Sequence, residues 1–268
     1  MPELPEVETV ARELRELIEG KSIQDIEAVW FKSFDNQSSI PLFRQVVKNI
    51  GRKGKYLVIE LTKSALIIHL RMTGQLLYNP GNLAAENHVR AKILFEDGTA
   101  LFFKDTRKFG RIYHVDHIDD ILYKIGIDAI DPRMDVELFK SLLKNSSINI
   151  KSFLLAQDKI SGVGNIYADE SLFRAGIHPA SLSNKIPNSK IKNLHGQLLN
   201  ILHSAIKNMG STISDYRDSY GNTGNNQKFF RVYQRAGEPC FNCETPISKS
   251  RIAGRGTHFC LKCQKVYK

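Results

Sequence analysis

The chain opens MPELPEVETV, and three of these residues carry groups suited to chemistry. Removal of Met1 would free the nitrogen of Pro2 as an N-terminal secondary amine. An α-amino group has an ordinary pKa of about 8, roughly two units below lysine, so more of it is unprotonated at neutral pH. Such an amine attacks an aldehyde-like carbon to give a Schiff base, and a secondary amine condenses directly to a cationic iminium. That cation is an electron sink that drives elimination at the adjacent carbon. Glu3 is the next residue and is suited to shuttle protons at the same centre. Glu6 lies one helical turn further on and faces the same way. A plainer reading stands beside this one. Proline suits the first turn of a helix, and glutamate suits the positive end of the helix dipole.

A second constellation lies at the other end. Cys240, Cys243, Cys260 and Cys263 form the pattern C-x2-C-x16-C-x2-C. Paired C-x2-C knuckles give the bite that tetrahedral Zn²⁺ needs, and four thiolates close its shell. The expected metal is therefore one structural Zn²⁺. Two disulfides would be the alternative, but the chain opens with acidic residues and no apolar leader, which argues for a reducing compartment. The intervening SKSRIAGRGTHF predicts a β-hairpin with Arg255 near its tip. An arginine there can grip a phosphate with two hydrogen bonds.

The elements that must position these groups follow from periodicity. Val7, Val10, Ala11, Leu14, Leu17 and Ile18 recur at helical spacing, and Gly20 suits the position after the helix, so residues 3–19 read as a helix. Then SIQDIEAVW, KYLVIEL, ALIIHL, RAKILF, ALFF and GRIYHV read as strands, with a hairpin turn at Asp97-Gly98. Strands at such short spacing predict a β-sandwich. From about residue 117 the pattern turns helical, most clearly over 189–209. SYGNTGNNQ, at 219–227, reads as a mobile loop. The fold class is α+β, with expected boundaries at 1–116, 117–230 and 231–268.

Composition narrows the partner. The chain has 268 residues and a net charge of +10. The excess is concentrated, since nine Lys or Arg stand against two Glu from Lys228 onward. A local basic patch is the footprint of a polyanion binder. There is no apolar run of the roughly 18 residues that would argue for a membrane span. The cytoplasm is the expected compartment.

Several blocks go further. PELPEVET, GRKGKYL at 51–57, HLRMTG at 69–74, DTRKFG at 105–110, GVGNIYADE at 162–170 and the cysteine module closely resemble the formamidopyrimidine-DNA glycosylases, end to end and in order. That family comprises bacterial base-excision repair enzymes that remove 8-oxoguanine and ring-opened purines. The resemblance implies Pro2 as nucleophile on the sugar C1′ and Glu3 as proton donor and acceptor. It implies Lys55 for β-elimination, and Arg255 for δ-elimination and phosphate contact. It implies that Met72, Arg107 and Phe109 wedge into the duplex when the damaged base leaves the stack, with Arg107 facing the orphaned cytosine. Core packing is the alternative for Met72 and Phe109. Asn165 at a glycine-rich helix start, and His69, His88 and Tyr233, match DNA-contacting positions. The family's helical part is a helix–two-turns–helix motif, its loop at 219–227 caps the flipped base, and it acts as a monomer on damaged duplex DNA.

Departures are visible too. Ala156-Gln157 stands where the family usually has Asp-Gln, and Ser147 where some members carry a basic residue. Two rival readings exist. The endonuclease VIII-type glycosylases for oxidised pyrimidines typically begin PEGPE, whereas Leu4 stands here in place of that glycine. A non-catalytic DNA-binding homologue would be expected to lose Pro2, Glu3 or Lys55, and all three are present.

Overall fold

The computed structural model describes residues 1–79 and 87–268. Two compact units emerge, and they do not follow chain order. Met1–Lys124 and Ala205–Gln227 form the first, and Ile125–Ser204 and Lys228–Lys268 form the second.

The first unit begins with α1, Leu4–Ile18. Pro5 sits in its first turn, Glu3 is the N-cap, and Gly20 follows at φ +83°, a left-handed conformation that glycine adopts without strain. The apolar stripe of Val7, Val10, Ala11, Leu14 and Ile18 is fully buried. It packs into one core with residues from two sheets. The first sheet has the order β1 (Ile23–Glu27), β7 (Val89–Phe95), β8 (Ala100–Asp105), β6 (Gly74–Tyr78). The second has the order β2 (Phe34–Asn36), β9 (Arg111–Val115), β5 (Ala65–His69), β4 (Tyr56–Leu61), β3 (Val47–Lys53). All neighbours are antiparallel except β2 and β9. The alternation in β7, where Val89, Ala91, Ile93 and Phe95 are buried and the residues between are not, is that of a strand with one face on a core. The expected sandwich is therefore present. The expected strands reappear, and β2, β3 and β6 add three that the sequence pattern does not announce.

The leading stretch of the first unit ends with the short α2 (Asp119–Leu122), and the second unit carries β10 (Ile127–Asp128), α3 (Val136–Lys144), α4 (Ile150–Leu155), β11 (Ile160–Ser161), α5 (Asn165–Ala175) and most of α6 (Asn188–Lys207). Local chemistry sets the helix starts. Asp135 caps α3 by accepting the Leu138 N–H at 2.8 Å, and Asn149 caps α4 by accepting the Ser152 N–H at 2.7 Å. The unit ends in a hairpin, β12 (Ser248–Ile252) and β13 (Arg255–Phe259). Ile252 pairs with Arg255, so Ala253 and Gly254 make a two-residue turn with both φ values positive. Among the described residues, no helix is long and apolar enough to cross a membrane.

Candidate functional site

In the first unit the N-terminus of α1 holds Pro2 and Glu3, both buried, while Met1 is exposed. Glu6 reaches back so that its Oε2 accepts the Glu3 N–H at 2.8 Å. Its other oxygen accepts the Ser211 N–H at 2.7 Å. One carboxylate thus fixes the backbone beside Pro2 and the segment after α6 together. Gly210 makes this approach feasible. A Cβ there would lie 2.8 Å from Glu6 Cγ and 2.9 Å from its Oε1.

Lys55 sits in the β3–β4 turn, and its side chain is largely buried. Arg52 braces that turn to α1. Its Nε donates to Glu8 Oε2 at 3.0 Å, and its Nη1 donates to the Gly54 carbonyl at 3.1 Å. His69 ends β5 opposite Tyr56, whose ring it meets edge-on at 4.4 Å. Burial pushes His69 down to about 3, and the positive charges of Arg71 and Lys55 push the same way. Its Nδ1 accepts the Arg71 N–H at 2.9 Å. The neutral ring therefore carries its proton on Nε2, which makes that nitrogen a donor suited to a phosphate oxygen.

Met72 lies in the β5–β6 turn and is 41% exposed; Phe109 lies in the β8–β9 turn and is 49% exposed. Neither packs in the core. The Arg107 guanidinium lies 5.0 Å from the Phe109 ring. Buried Asp105 laces the two turns together. Its Oδ1 accepts from the Thr73 hydroxyl and from the Arg107 N–H, and its Oδ2 accepts the Gly110 N–H at 2.7 Å. Thr73 Oγ1 also accepts the Arg107 N–H at 3.0 Å. Gly110 has no room for a side chain, since a Cβ would fall 2.3 Å from Phe103 Cζ. His88 precedes β7, and its carbonyl accepts the Asp105 N–H at 2.9 Å.

A cavity of about 510 Å³ opens beside His88, lined by Gln75, Lys104, Arg217, Tyr220 and Gly221 among others. Its far wall is the segment after α6. Gln75 Nε2 donates to the Asp215 carbonyl, and Arg217 Nη1 donates to the Tyr216 carbonyl at 2.7 Å. Gln75, Arg217, Asp105 and Thr73 carry no sequence signal of these roles. Thr73 stands in HLRMTG and Asp105 in DTRKFG, but a lone Asp or Thr in a turn announces no partner.

In the second unit Asn165 is the first residue of α5, after Gly164 as N-cap. Gln157 shapes the preceding glycine turn by accepting the Gly162 N–H at 2.9 Å and donating to the Val163 carbonyl at 2.9 Å. Ala156 only ends α4, with its N–H on the Ser152 carbonyl. Asn165 Nδ2 donates to the Gly256 carbonyl at 3.0 Å, which ties the helix start to the hairpin that carries exposed Arg255. Lys151 and Asp169 lie beneath, fully buried and paired at 2.6 Å. Lys151 Nζ also donates to Thr257 Oγ1 at 2.7 Å, and Asp169 Oδ2 accepts the His258 N–H at 2.9 Å. Glu170 on the next position of α5 accepts the N–H groups of Arg231, Val232 and Tyr233 at 2.9 Å each. The Tyr233 ring then packs on His258, 5.3 Å between centroids. The second unit thus brings Asn165, Tyr233 and Arg255 onto elements that share these anchors.

The four cysteine sulfurs all lie within 4.8 Å of one another. Cys240 and Cys263 are 3.9 Å apart, and Cys243 and Cys260 are 3.5 Å apart. Sulfurs bound tetrahedrally about 2.3 Å from zinc would be about 3.8 Å apart. The four residues fit one structural zinc, and no ligand position remains for a substrate. Around them Phe173, Val232 and Ile247 form a small apolar cluster.

Family models match in three consecutive stretches. The formamidopyrimidine-DNA glycosylase N-terminal domain matches residues 1–112, the formamidopyrimidine-DNA glycosylase H2TH domain matches 125–217, and a zinc finger found in FPG and IleRS matches 237–266. The formamidopyrimidine-DNA glycosylase of Halalkalibacterium halodurans is 39% identical, covering 99% of this chain and 100% of that protein. The one from Streptococcus pneumoniae is 40% identical, covering 99% of each. The crystal structure of the MutM (Fpg) protein from Thermus thermophilus superposes with a TM-score of 0.90 at 35% identity, over 100% of both chains. A Lactococcus lactis FPG mutant in complex with DNA containing Fapy-dG also gives 0.90, at 38% identity over 98% of this chain and 100% of that one.

Proposed function

This chain belongs to the formamidopyrimidine-DNA glycosylase family, and from that premise we propose that it excises oxidised purines from duplex DNA and then cleaves the strand at the abasic sugar. It is a DNA glycosylase of base-excision repair, with abasic-site lyase activity as the second step. The observation that carries this reading is the pair of turns bearing Met72, Arg107 and Phe109. Two large apolar side chains stand partly exposed on turns locked by a buried aspartate, with the Arg107 guanidinium 5.0 Å from the Phe109 ring. Such a wedge suits the gap left when a base swings out of the stack. The cavity beside His88 is the natural receptor for that base, and the segment at 219–227 is its cap.

The chemistry then follows from the N-terminus of α1. Once Met1 is removed, the Pro2 nitrogen attacks C1′ and the glycosidic bond breaks toward the base. Glu3 carries protons between the leaving base and the sugar. The resulting iminium withdraws electrons, so loss of the C2′ proton expels the 3′ phosphate, with Lys55 at this step. A second elimination, with Arg255, expels the 5′ phosphate. His69, His88, Asn165 and Tyr233 contact DNA. Structural zinc holds the hairpin of Arg255 and takes no part in bond making. The division at 1–116, 117–230 and 231–268, and a cytoplasmic monomer, belong to the same proposal.

The test is borohydride trapping on a duplex with one 8-oxoguanine opposite cytosine, followed by intact-mass and peptide analysis of the adduct. A covalent adduct on Pro2 of a Met-trimmed, zinc-loaded chain is expected. An adduct on a lysine, or none, would overturn the proline mechanism. Trapping only on an oxidised pyrimidine would overturn the purine assignment.

A further inference from the structure

The wall of the cavity hangs on a pair of carboxyl groups that the catalytic scheme does not use. Glu13, half-buried on α1, accepts the Ser219 N–H at 2.8 Å through Oε2. Asp218, the preceding loop residue, is buried, and its Oδ1 accepts the N–H groups of Tyr220 at 3.0 Å and Asn222 at 2.7 Å. Its Oδ2 takes the Asn222 side-chain amide at 3.2 Å. Asp218 stands near enough to the Glu13 carboxyl for its negative charge to act on it. These two residues therefore hold the chain between Arg217 and Tyr220, both of which line the cavity. On the other side Ser219 is fixed by its carbonyl, which accepts the Tyr78 N–H of β6 at 3.0 Å.

Two carboxyl groups that share a site cannot both ionise without repulsion. Burial pushes Glu13 up to about 7, and the charge of Asp218 pushes it the same way. Among the described residues, the other titratable groups at this spot are phenols: Tyr216 from the loop, and Tyr78 from β6, with Lys21 Nζ 5.5 Å from the Tyr78 ring. A neutral Glu13 satisfies both neighbours at once. Its carbonyl oxygen accepts the Ser219 N–H while its hydroxyl donates to Asp218. An ionised Glu13 keeps only the first bond and faces a second negative charge.

We propose that Glu13 is a positioning residue for the lesion cavity: a proton shared with Asp218 keeps the Ser214–Gly221 wall in place. This rests on reading the cavity as the receptor for the flipped base. Capture and excision of a damaged base need the wall. Strand cleavage at a pre-formed abasic site, which has no base to hold, does not. The ratio of the two activities therefore isolates the anchor from every group that the two steps share.

The test uses the full-length, zinc-loaded, Met-trimmed protein with Glu13→Gln and Glu13→Ala. Excision of 8-oxoguanine and cleavage of an abasic-site duplex are measured from pH 6 to pH 8, and amide hydrogen exchange over residues 214–222 is followed in the free protein. For the wild type, the ratio of excision to abasic cleavage falls about tenfold over that range, the change in protonated fraction for a group with a pKa near 7. Protection of the Ser219 amide, corrected for intrinsic exchange, falls in parallel. Glu13→Gln, which keeps one acceptor and one donor, flattens both profiles near the low-pH level. Glu13→Ala loses protection at every pH and loses excision, while abasic cleavage persists. A wild-type ratio and a Ser219 protection that do not change with pH would overturn the proposal, as would a Glu13→Gln profile that overlays the wild type. If neither duplex is processed, the functional reading fails, and the exchange data still decide whether Glu13 anchors the wall.

Discussion

At the scale of single residues, the site works by holding groups in one protonation state. His69 is the plainest case. Its ordinary pKa is about 6.5 and burial in the protein takes it down to about 3, so the folded chain binds fewer protons than the unfolded chain between these values. The stability tied to His69 is complete above about pH 6.5 and is lost as pH falls toward 3. The slope reaches at most about 1.4 kcal/mol per pH unit. Replacing His69 with Gln should remove that contribution while keeping a polar group of similar reach. Urea unfolding at pH 7, 6 and 5 checks this: the gap between wild type and His69→Gln should change by up to about 1.4 kcal/mol per unit below pH 6.5. A constant gap would mean that the ring is not held neutral. Residues of this kind were legible in the sequence by type. Pro2, Glu3, Lys55, His69 and Arg107 all announce chemistry. Their supports were not, because Asp105 or Glu170 acts through backbone N–H groups supplied by folding, and no spacing records those in advance.

At the scale of elements, the hairpin that carries Arg255 shows what fixes a small metal module to a helical body. β12 and β13 are short, and much of their surface is polar or exposed. Zinc closes one end. The other end is fixed by Lys151 of α4 and Asp169 of α5, a buried ion pair that also bonds Thr257, the Gly256 carbonyl and the His258 N–H. Removing one member leaves an uncompensated buried charge, at a cost of roughly 3–5 kcal/mol. Lys151→Met should therefore lower stability by that order in urea unfolding, and the double variant Lys151→Met, Asp169→Leu should recover part of it. A single variant of wild-type stability would show that the pair is not desolvated. The same scale explains which elements could be read from sequence. α1 has an uninterrupted stripe of buried apolar residues and a glycine stop. β3 has only Val47 and Ile50 fully buried, with a bulge between Val47 and Asn49 that breaks the two-residue period. β6 begins at Gly74 directly after a turn, so GQLLY reads as turn residue and short apolar run. The return of residues 205–227 to the first unit is a long-range contact between a loop and α1, and local pattern holds no trace of it.

At the scale of the whole molecule, charge and metal divide the work of binding. The net charge of +10 gives a general attraction for DNA, and the tail from Lys228 onward contributes a large part of the excess. Neutralising phosphates releases counterions, so log affinity should fall linearly with log salt, by about 0.9 for each phosphate contacted. Zinc decides how many of those contacts the tail can make. Without it the four thiolates repel once ionised, and the apolar cluster of Phe173, Val232 and Ile247 loses the cysteines that close it. The sandwich of the first unit has its own core and includes none of the cysteines. Chelation should therefore leave the main thermal transition of the sandwich, while the slope of log affinity against log salt becomes shallower by about 1 to 3 as hairpin cations such as Arg255 and Lys249 disengage. Circular dichroism melting and fluorescence anisotropy on one lesion duplex, with and without chelator, make the comparison. A single cooperative collapse on chelation would mean that the zinc module holds the entire fold, and an unchanged slope would mean that the hairpin cations do not touch phosphate. A shallower slope with the sandwich intact would place the zinc where its coordination puts it, as a structural ion that organises a binding surface.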